Sequence, residues 1–282
     1  MYTIDELEDK LIDLAFAEDI GDGDHTTLCC IPEEAMGAQK LLVKEDGIIA
    51  GVEVAKKIFH KFDPTLEVEQ MITDGTRVKV GDIAFVTRGK IRSLLQTERL
   101  MLNVMQRMSG IATTTAKYMK LLEGTKCKVL DTRKTTPGMR MLEKMAVKIG
   151  GGENHRIGLF DMILLKDNHI DFAGGITNAL DRAQAYLKGH GKNLKIEIEV
   201  RNFDELNEAL AHGGADRIML DNFTVDDTRK AVEIINGRTE IESSGGITID
   251  TIRSYAECGV DFVSVGALTH SVKCLDLSFK AV

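Results

Sequence analysis

Apolar positions recur in two rhythms along this chain, and the rhythm changes near residue 110. Before that point, alternating runs at Gln39–Lys44, Leu66–Ile72 and Ile83–Arg88 predict strands, bounded by turn signals at Asp46-Gly47, Asp74-Gly75 and Gly81-Asp82. They mix with helical stretches, as in an α+β layer. The first helix opens at Thr3, whose spacing to Glu6 suits a capping box, with Ile4, Leu7, Leu11 and Leu14 on one face. A long helical run from about Ser93 to Leu122 forms the natural hinge, and Ser109-Gly110 predicts a bend or interruption in it.

Beyond the hinge, short apolar runs alternate with helical patterns. The runs are Lys128–Asp131, Asp161–Leu165, Lys195–Val200, Asp216–Leu220, Glu240–Glu242 and Asp261–Val265; Phe203–His212, Val225–Ile235 and Ile249–Cys258 lie between them. This alternation predicts an α/β fold with parallel strands and outer helices. Near-identical helix lengths before the last three strands favour a barrel over an open doubly wound sheet. The expected division is an α/β sandwich over residues 1–110 and an α/β barrel over residues 111–270.

With 282 residues, 43% of them hydrophobic, the chain can bury a core large enough for two domains. A formal charge of -8 argues against nonspecific binding to nucleic acid or an anionic membrane, so any anion site must be local. Met1 to Phe16 lacks both a basic n-region and a continuous apolar stretch, which makes the cytosol the expected compartment. The five cysteines, Cys29, Cys30, Cys127, Cys258 and Cys274, are odd in number and without CxxC spacing, and are expected to be reduced thiols.

The chemistry gathers just after the apolar runs, where parallel barrels place their active sites. Asp131, Thr132, Arg133 and Lys134 follow the first run, Lys166 the second, Asp221 and Asn222 the fourth, Glu242-Ser243-Ser244-Gly245-Gly246 the fifth, and Gly266 to His270 the last. Glu197 and Glu199 share one side of the third strand; one could pair with a lysine, leaving the other, nearer the strand end, to meet a cation. Strand ends are often polar because turns begin there, but six such ends together outweigh that account. From Lys126 to Lys166 nine basic residues stand against four acids, a local anion-pocket signal in an acidic protein. Arg133 suits bidentate capture of a carboxylate or phosphate, whereas Lys144 and Lys148, at helical spacing, are expected on a solvated helix face. Gly150 to Arg156 reads either as a phosphate loop or as a flexible turn; His155 beside Arg156 suits an aromatic acid. The remaining histidines, such as His25, His60, His169, His190 and His212, are expected to be structural or superficial. The two glycine-rich turns after the last strands are the better phosphate candidates.

Five segments carry a resemblance: Asp131-Thr132-Arg133-Lys134-Thr135-Thr136-Pro137-Gly138, Gly151-Gly152-Glu153-Asn154-His155-Arg156, Leu165-Lys166-Asp167-Asn168-His169, Leu220-Asp221-Asn222-Phe223 and Ser243-Ser244-Gly245-Gly246-Ile247. In these, and in Glu18 to Asp22 and Val265 to Val272, the sequence resembles the quinolinate phosphoribosyltransferase family. The resemblance implies an amino-terminal sandwich, an irregular open barrel, a final helix from about Ser271 to the end that rejoins the first domain, and a homodimer or higher oligomer. It also implies that Arg99 reaches a neighbouring subunit's site. Arg99, Thr132, Arg133, Lys134, His155, Arg156 and Lys166 would surround quinolinate. Glu199 and Asp221 would hold magnesium and the ribose hydroxyls of phosphoribosyl pyrophosphate, with Lys134, Lys166, Glu199 and Asp221 as the catalytic set. Ser244, Gly245, Gly246, Gly266 and His270 would take a phosphate. The competing expectations are a paralogue of the same fold acting on another anion, including a metal-transport-associated relative, and a non-catalytic anion-binding barrel.

Overall fold

The computed structural model describes residues 3–282; Met1 and Tyr2 lie outside the described residues. In chain order the elements are α1 (Ile4–Ile20), α2 (His25–Cys30), β1 (Met36–Val43), β2 (Gly47–Ile48), α3 (Val52–Phe62), β3 (Glu67–Gln70), β4 (Arg77–Val78), β5 (Ile83–Lys90) and α4 (Ile91–Leu121). There follow β6 (Lys128–Leu130), α5 (Arg140–Ile149), β7 (Ile163–Leu165), α6 (Asp167–Ala173), α7 (Ile176–Gly189), β8 (Ile196–Val200), α8 (Phe203–His212), β9 (Arg217–Asp221), α9 (Val225–Ile235), β10 (Glu240–Ser244), α10 (Ile252–Ala256), β11 (Phe262–Ser264), α11 (Ala267–His270) and β12 (Leu277–Ala281). Two compact units emerge: residues 1–116, 134–151 and 267–282 form the first, and residues 117–133 and 152–266 the second.

In the first unit an antiparallel sheet runs β12-β1-β5-β3. Alternation along β1 buries Gln39, Leu41 and Val43, and Gln39 Nε2 donates to Glu98 Oε2 of α4 at 3.1 Å. Phe59 on α3, Phe85 on β5 and Phe279 on β12 form a ring cluster with centroids 5.9, 5.9 and 6.1 Å apart. The chain end is therefore a strand, not the expected helix. Leu275, Leu277 and Phe279 are buried at a period of two, and residues Leu277–Ala281 pair antiparallel with β1.

Helix α1 has its capping box, Thr3 N donating to Glu6 Oε2 at 2.7 Å and Glu6 N donating to Thr3 Oγ1 at 3.2 Å. Its buried residues, however, are Glu8 and Ile12, whereas Ile4, Leu7 and Leu14 of the expected core face are exposed. Lys57 explains the buried acid: its ammonium lies 3.3 Å from Glu8. Helix α4 is unbroken at Ser109-Gly110. The Ser109 hydroxyl accepts from Ala50 N at 2.9 Å and donates to Ala50 O at 3.1 Å, while Gly110 lies so close to Lys273 that a Cβ would collide with its carbonyl. These residues serve close packing rather than a bend.

In α5, Lys148 is exposed, but Lys144 is 1% exposed, so only one of the pair belongs to a solvated face. Its neighbour Glu143, fully buried, is paired with Arg107 at 2.7 Å and accepts from Thr136 N. Arg107 also donates to Thr136 Oγ1 and Thr269 O, and Thr269 donates to Lys134 O at 2.9 Å. The loop that begins with Lys134 is thus fastened to α4, α5 and α11.

In the second unit all six strands are parallel, ordered β6-β11-β10-β9-β8-β7. The earliest strand pairs with the latest, as in a ring of strands opened between β6 and β7. This is the open α/β barrel, and every strand delivers its carboxyl end to one rim. Strand β8, Ile196–Val200, is buried along its whole length, as parallel strands covered on both faces should be.

Candidate active site

The opening of the ring is filled by the segment after Gly152. Glu153 forms a parallel bridge with Leu130, its amide donating to Val129 O at 2.9 Å and its carbonyl accepting from Asp131 N at 3.2 Å. Fully buried Asp131 then accepts from His155 N at 3.0 Å and Asn154 Nδ2 at 2.5 Å. The glycine-rich stretch therefore leads into strand-like structure, and neither expected form, phosphate loop or flexible turn, describes it. Its effect is to bury His155 and Arg156 inside the second unit.

Arg156 donates to Met162 O at 3.3 Å and sits near Glu197, Glu199 and Asp161. Burial pulls its guanidinium below the usual arginine range, and the charge of Arg133 pulls the same way. Two guanidiniums are thus held within each other's field, with Arg133 at the exposed end of the segment after β6. Two guanidiniums at one rim suit an anion that can meet both.

Across the rim, Lys166 Nζ lies 3.1 Å from Glu199 Oε1, and Asp167 N donates to Glu199 Oε2 at 3.1 Å. His169 Nδ1 accepts from Lys166 N at 3.0 Å and fixes the start of α6. The lysine partner expected for one of the two strand carboxylates therefore belongs to Glu199, the one nearer the strand end. Glu197 meets a histidine instead: His155 Nε2 is 2.9 Å from Glu197 Oε2 and 3.4 Å from Glu242 Oε2. Arg217 NH1 closes the group, 3.2 Å from Glu242.

In this buried group, burial lowers the imidazole pKa, but the two carboxylates outweigh it and raise His155 to about 9. The Arg156 amide, which donates to Nδ1 at 2.7 Å, favours a lone pair there and works against a second proton on the ring. Glu197 is pushed up to about 7 by burial and by the charge of Glu242. For Glu242, burial is outweighed by His155, and its pKa falls. Arg217 is a functional candidate that sequence reasoning missed, and Glu242, read among the polar groups after the fifth apolar run, lies instead inside β10, fully buried.

Asp221 ends β9 beside Ser244, which ends β10, and Asn222 Nδ2 donates to Asp221 Oδ2 at 2.8 Å. Asn222 N donates to Ser244 O at 2.9 Å, and the Asn222 side chain lies over Gly245, where a Cβ would collide with it. Gly245 and Gly246 both have positive φ, 99° and 61°. The turn thus exposes backbone at the rim without side chains in the way, as a phosphate requires. Thr132 and Gly266 are half-buried at the ends of β6 and β11. The structure therefore assembles Thr132, Arg133, His155, Arg156, Lys166, Glu199, Asp221, Ser244, Gly245, Gly246 and Gly266 on the second unit. Arg99, Lys134 and His270 belong to the first unit: Arg99 is exposed on α4, Lys134 is exposed on its fastened loop, and His270 ends α11 with Nδ1 2.7 Å from Ser271 Oγ.

Comparisons with known proteins identify the family by sequence and fold. The family model for the quinolinate phosphoribosyl transferase C-terminal domain matches residues 111–280, and that for the N-terminal domain matches residues 24–109. The chain is 46% identical to the chloroplastic nicotinate-nucleotide pyrophosphorylase [carboxylating] of Oryza sativa subsp. japonica, over 96% of this chain and 76% of that one. The crystal structure of NadC from Streptococcus pyogenes superposes with a TM-score of 0.92 at 39% identity, covering 100% of this chain and 99% of that chain. The nicotinate-nucleotide pyrophosphorylase from Francisella tularensis does so with a TM-score of 0.92 at 40% identity, covering 100% and 98%. Matched along nearly its full length in both sequence and fold, this chain belongs to the quinolinate phosphoribosyltransferase family.

Proposed function

We propose that this chain transfers the phosphoribosyl group of phosphoribosyl pyrophosphate to quinolinate with decarboxylation. The products are nicotinate mononucleotide, pyrophosphate and carbon dioxide, a step of de novo NAD biosynthesis. The observation that carries the reading is the gathering of Arg133, Arg156 and Lys166 on the second unit beside Glu199 and Asp221, a set that matches a substrate with two adjacent carboxylates and a cationic sugar centre. Lys166 and the backbone turn at Ser244–Gly246 supply the remaining anion contacts, with Thr132, His155 and Gly266 on the same unit.

The pyridine nitrogen attacks ribose C1 as pyrophosphate departs, and the positive charge developing on the sugar faces Glu199 and Asp221. Arg133 and Arg156 orient the acceptor so that its nitrogen meets C1. Once ribosylated, the ring is a pyridinium whose positive nitrogen stabilises the electron pair left at C2 as the adjacent carboxylate departs as carbon dioxide, and C2 then takes a proton from water. The chain needs no organic electron sink for that step.

Glu199 and Asp221 fit magnesium, since both offer hard carboxylate oxygens at strand ends. Two carboxylates suit an ion that keeps waters and substrate phosphates in its shell. Bound there, magnesium would neutralise charge on the departing pyrophosphate.

A dimer completes the reading, with Arg99 serving the neighbouring subunit's site. Support comes from the exposed apolar residues Ile4, Leu7 and Leu14 on α1, and from a cavity of about 330 Å³ lined by Leu11, Ala15, Leu100, Asn103 and Val104 among others. Among the described residues no helix is long and apolar enough to cross a membrane. The five thiols are all free, in keeping with reaction in a reducing cytosol.

The direct test is incubation with quinolinate, phosphoribosyl pyrophosphate and magnesium, followed by mass spectrometry. Nicotinate mononucleotide is expected; folded protein that forms none of it contradicts the proposal.

A further inference from the structure

Two buried carboxylates on the inner side of the ring face one histidine. Glu197 and Glu242 are both 0% exposed, and Glu197 Oε1 and Oε2 and Glu242 Oε1 lack an aligned hydrogen-bond donor. Unbalanced acids in such a place are expensive, so the cations beside them have a defined task. One is Arg217, paired with Glu242 at 3.2 Å and with Glu240 at 3.1 Å, and stacked 4.0 Å from the centre of the Phe262 ring. The other is His155.

The geometry points to Glu197 and Glu242 as positioning residues: they fix the His155 ring with Nε2 toward the two acids, so that Nδ1 accepts from the amide of Arg156 and holds that residue, its chain neighbour, in place. This rests on the phosphoribosyl-transfer reading above and assigns two acids that touch no substrate. Ring direction is fixed at both ends: Nε2 faces the acids, while the backbone on either side is tied through His155 N to Asp131 and Arg156 N to His155 Nδ1.

The same three residues, His155, Glu197 and Glu242, place donor atoms within 4.8 Å of one another and could in principle hold a metal. Direct Nε2-to-oxygen contact at 2.9 Å favours a proton between them instead.

Glu242→Gln keeps the shape and removes one charge. The expected result is a rise of about ten- to hundredfold in KM and Kd for quinolinate, with a smaller change in kcat and none in Kd for phosphoribosyl pyrophosphate. In a His155→Ala background the same change should add little, because Glu242 acts through the imidazole. Additive effects, or an unchanged quinolinate Kd, overturn the proposal. Glu197→Gln is the second variant, with the same expectations. Imidazole nitrogen NMR of the wild type needs no variant: His155 should carry its proton on Nε2, toward the acids, and a ring protonated on Nδ1 alone overturns the assignment. One equivalent of tightly bound zinc released by His155→Ala would overturn it too. A wild type that neither binds nor converts quinolinate contradicts the functional proposal, whereas an active wild type with an indifferent Glu242→Gln contradicts only this one.

Discussion

Lys166 Nζ and Glu199 Oε1 stand 3.1 Å apart, joining the start of α6 to the end of β8 across two adjacent strands. The lysine side chain is 46% exposed, so the pair contributes little to stability, on the order of 1 kcal/mol or less. Its value lies in placement: the carboxylate is nearly buried yet opens toward the rim. Glu199→Gln is expected to lower kcat by about a hundredfold while leaving thermal stability nearly unchanged. Steady-state kinetics with calorimetric melting checks this, and an unaltered kcat removes the carboxylate from the chemistry.

The turn after β10 offers a contrast between neighbours. Gly245 and Gly246 both have positive φ, but only at Gly245 would a Cβ strike the Asn222 side chain. Gly245→Ala should cost about 1–3 kcal/mol more than Gly246→Ala and raise KM for phosphoribosyl pyrophosphate. Equal melting temperatures for the two variants would show that the Asn222 contact has no energetic weight.

Much of the second unit was legible because period-two apolar runs and helical runs alternate, and parallel strands must then present their ends on one rim. Arg133, Lys166, Glu199 and Asp221 follow from that rule alone. Arg217 does not, and Glu242 lies inside β10 rather than past its end. Their meeting with His155 depends on strand register, which sets Glu197 opposite Arg217 and Glu242 opposite Met219. Residues far apart in the chain come together only once that register exists. At the chain end, three apolar residues at alternate positions signalled a strand, but the implied helix was taken from the family resemblance. On α1, periodicity marked an apolar face that this chain leaves exposed, so the pattern reported an amphipathic helix without saying what covers it.

Stability should depend on pH through His155. Its folded pKa, about 9, lies above the ordinary value near 6.5, so the ring's contribution is full below about 6.5 and is lost as pH rises through 9. The full shift is worth at most about 3 kcal/mol. Melting temperatures of the wild type should therefore fall between pH 7 and 9.5 more steeply than those of His155→Gln. Parallel profiles would show that the imidazole carries no extra proton in the folded state.

If Arg99 serves the neighbouring subunit, two inactive variants should restore each other. Mixing Arg99→Ala with Arg133→Ala, after reversible dissociation, should recover about a quarter of wild-type activity, the statistical share of intact sites in mixed dimers. No recovery, in mixtures shown by mass spectrometry to contain hybrids, would assign Arg99 to its own subunit's site or to none.

The account stands on two guanidiniums meeting one anionic ring. Its most direct test is calorimetric titration of quinolinate into wild type and Arg133→Ala, each confirmed as folded by circular dichroism. A loss of affinity of about a hundredfold in the variant is the expected result; equal affinities in the two proteins would contradict it.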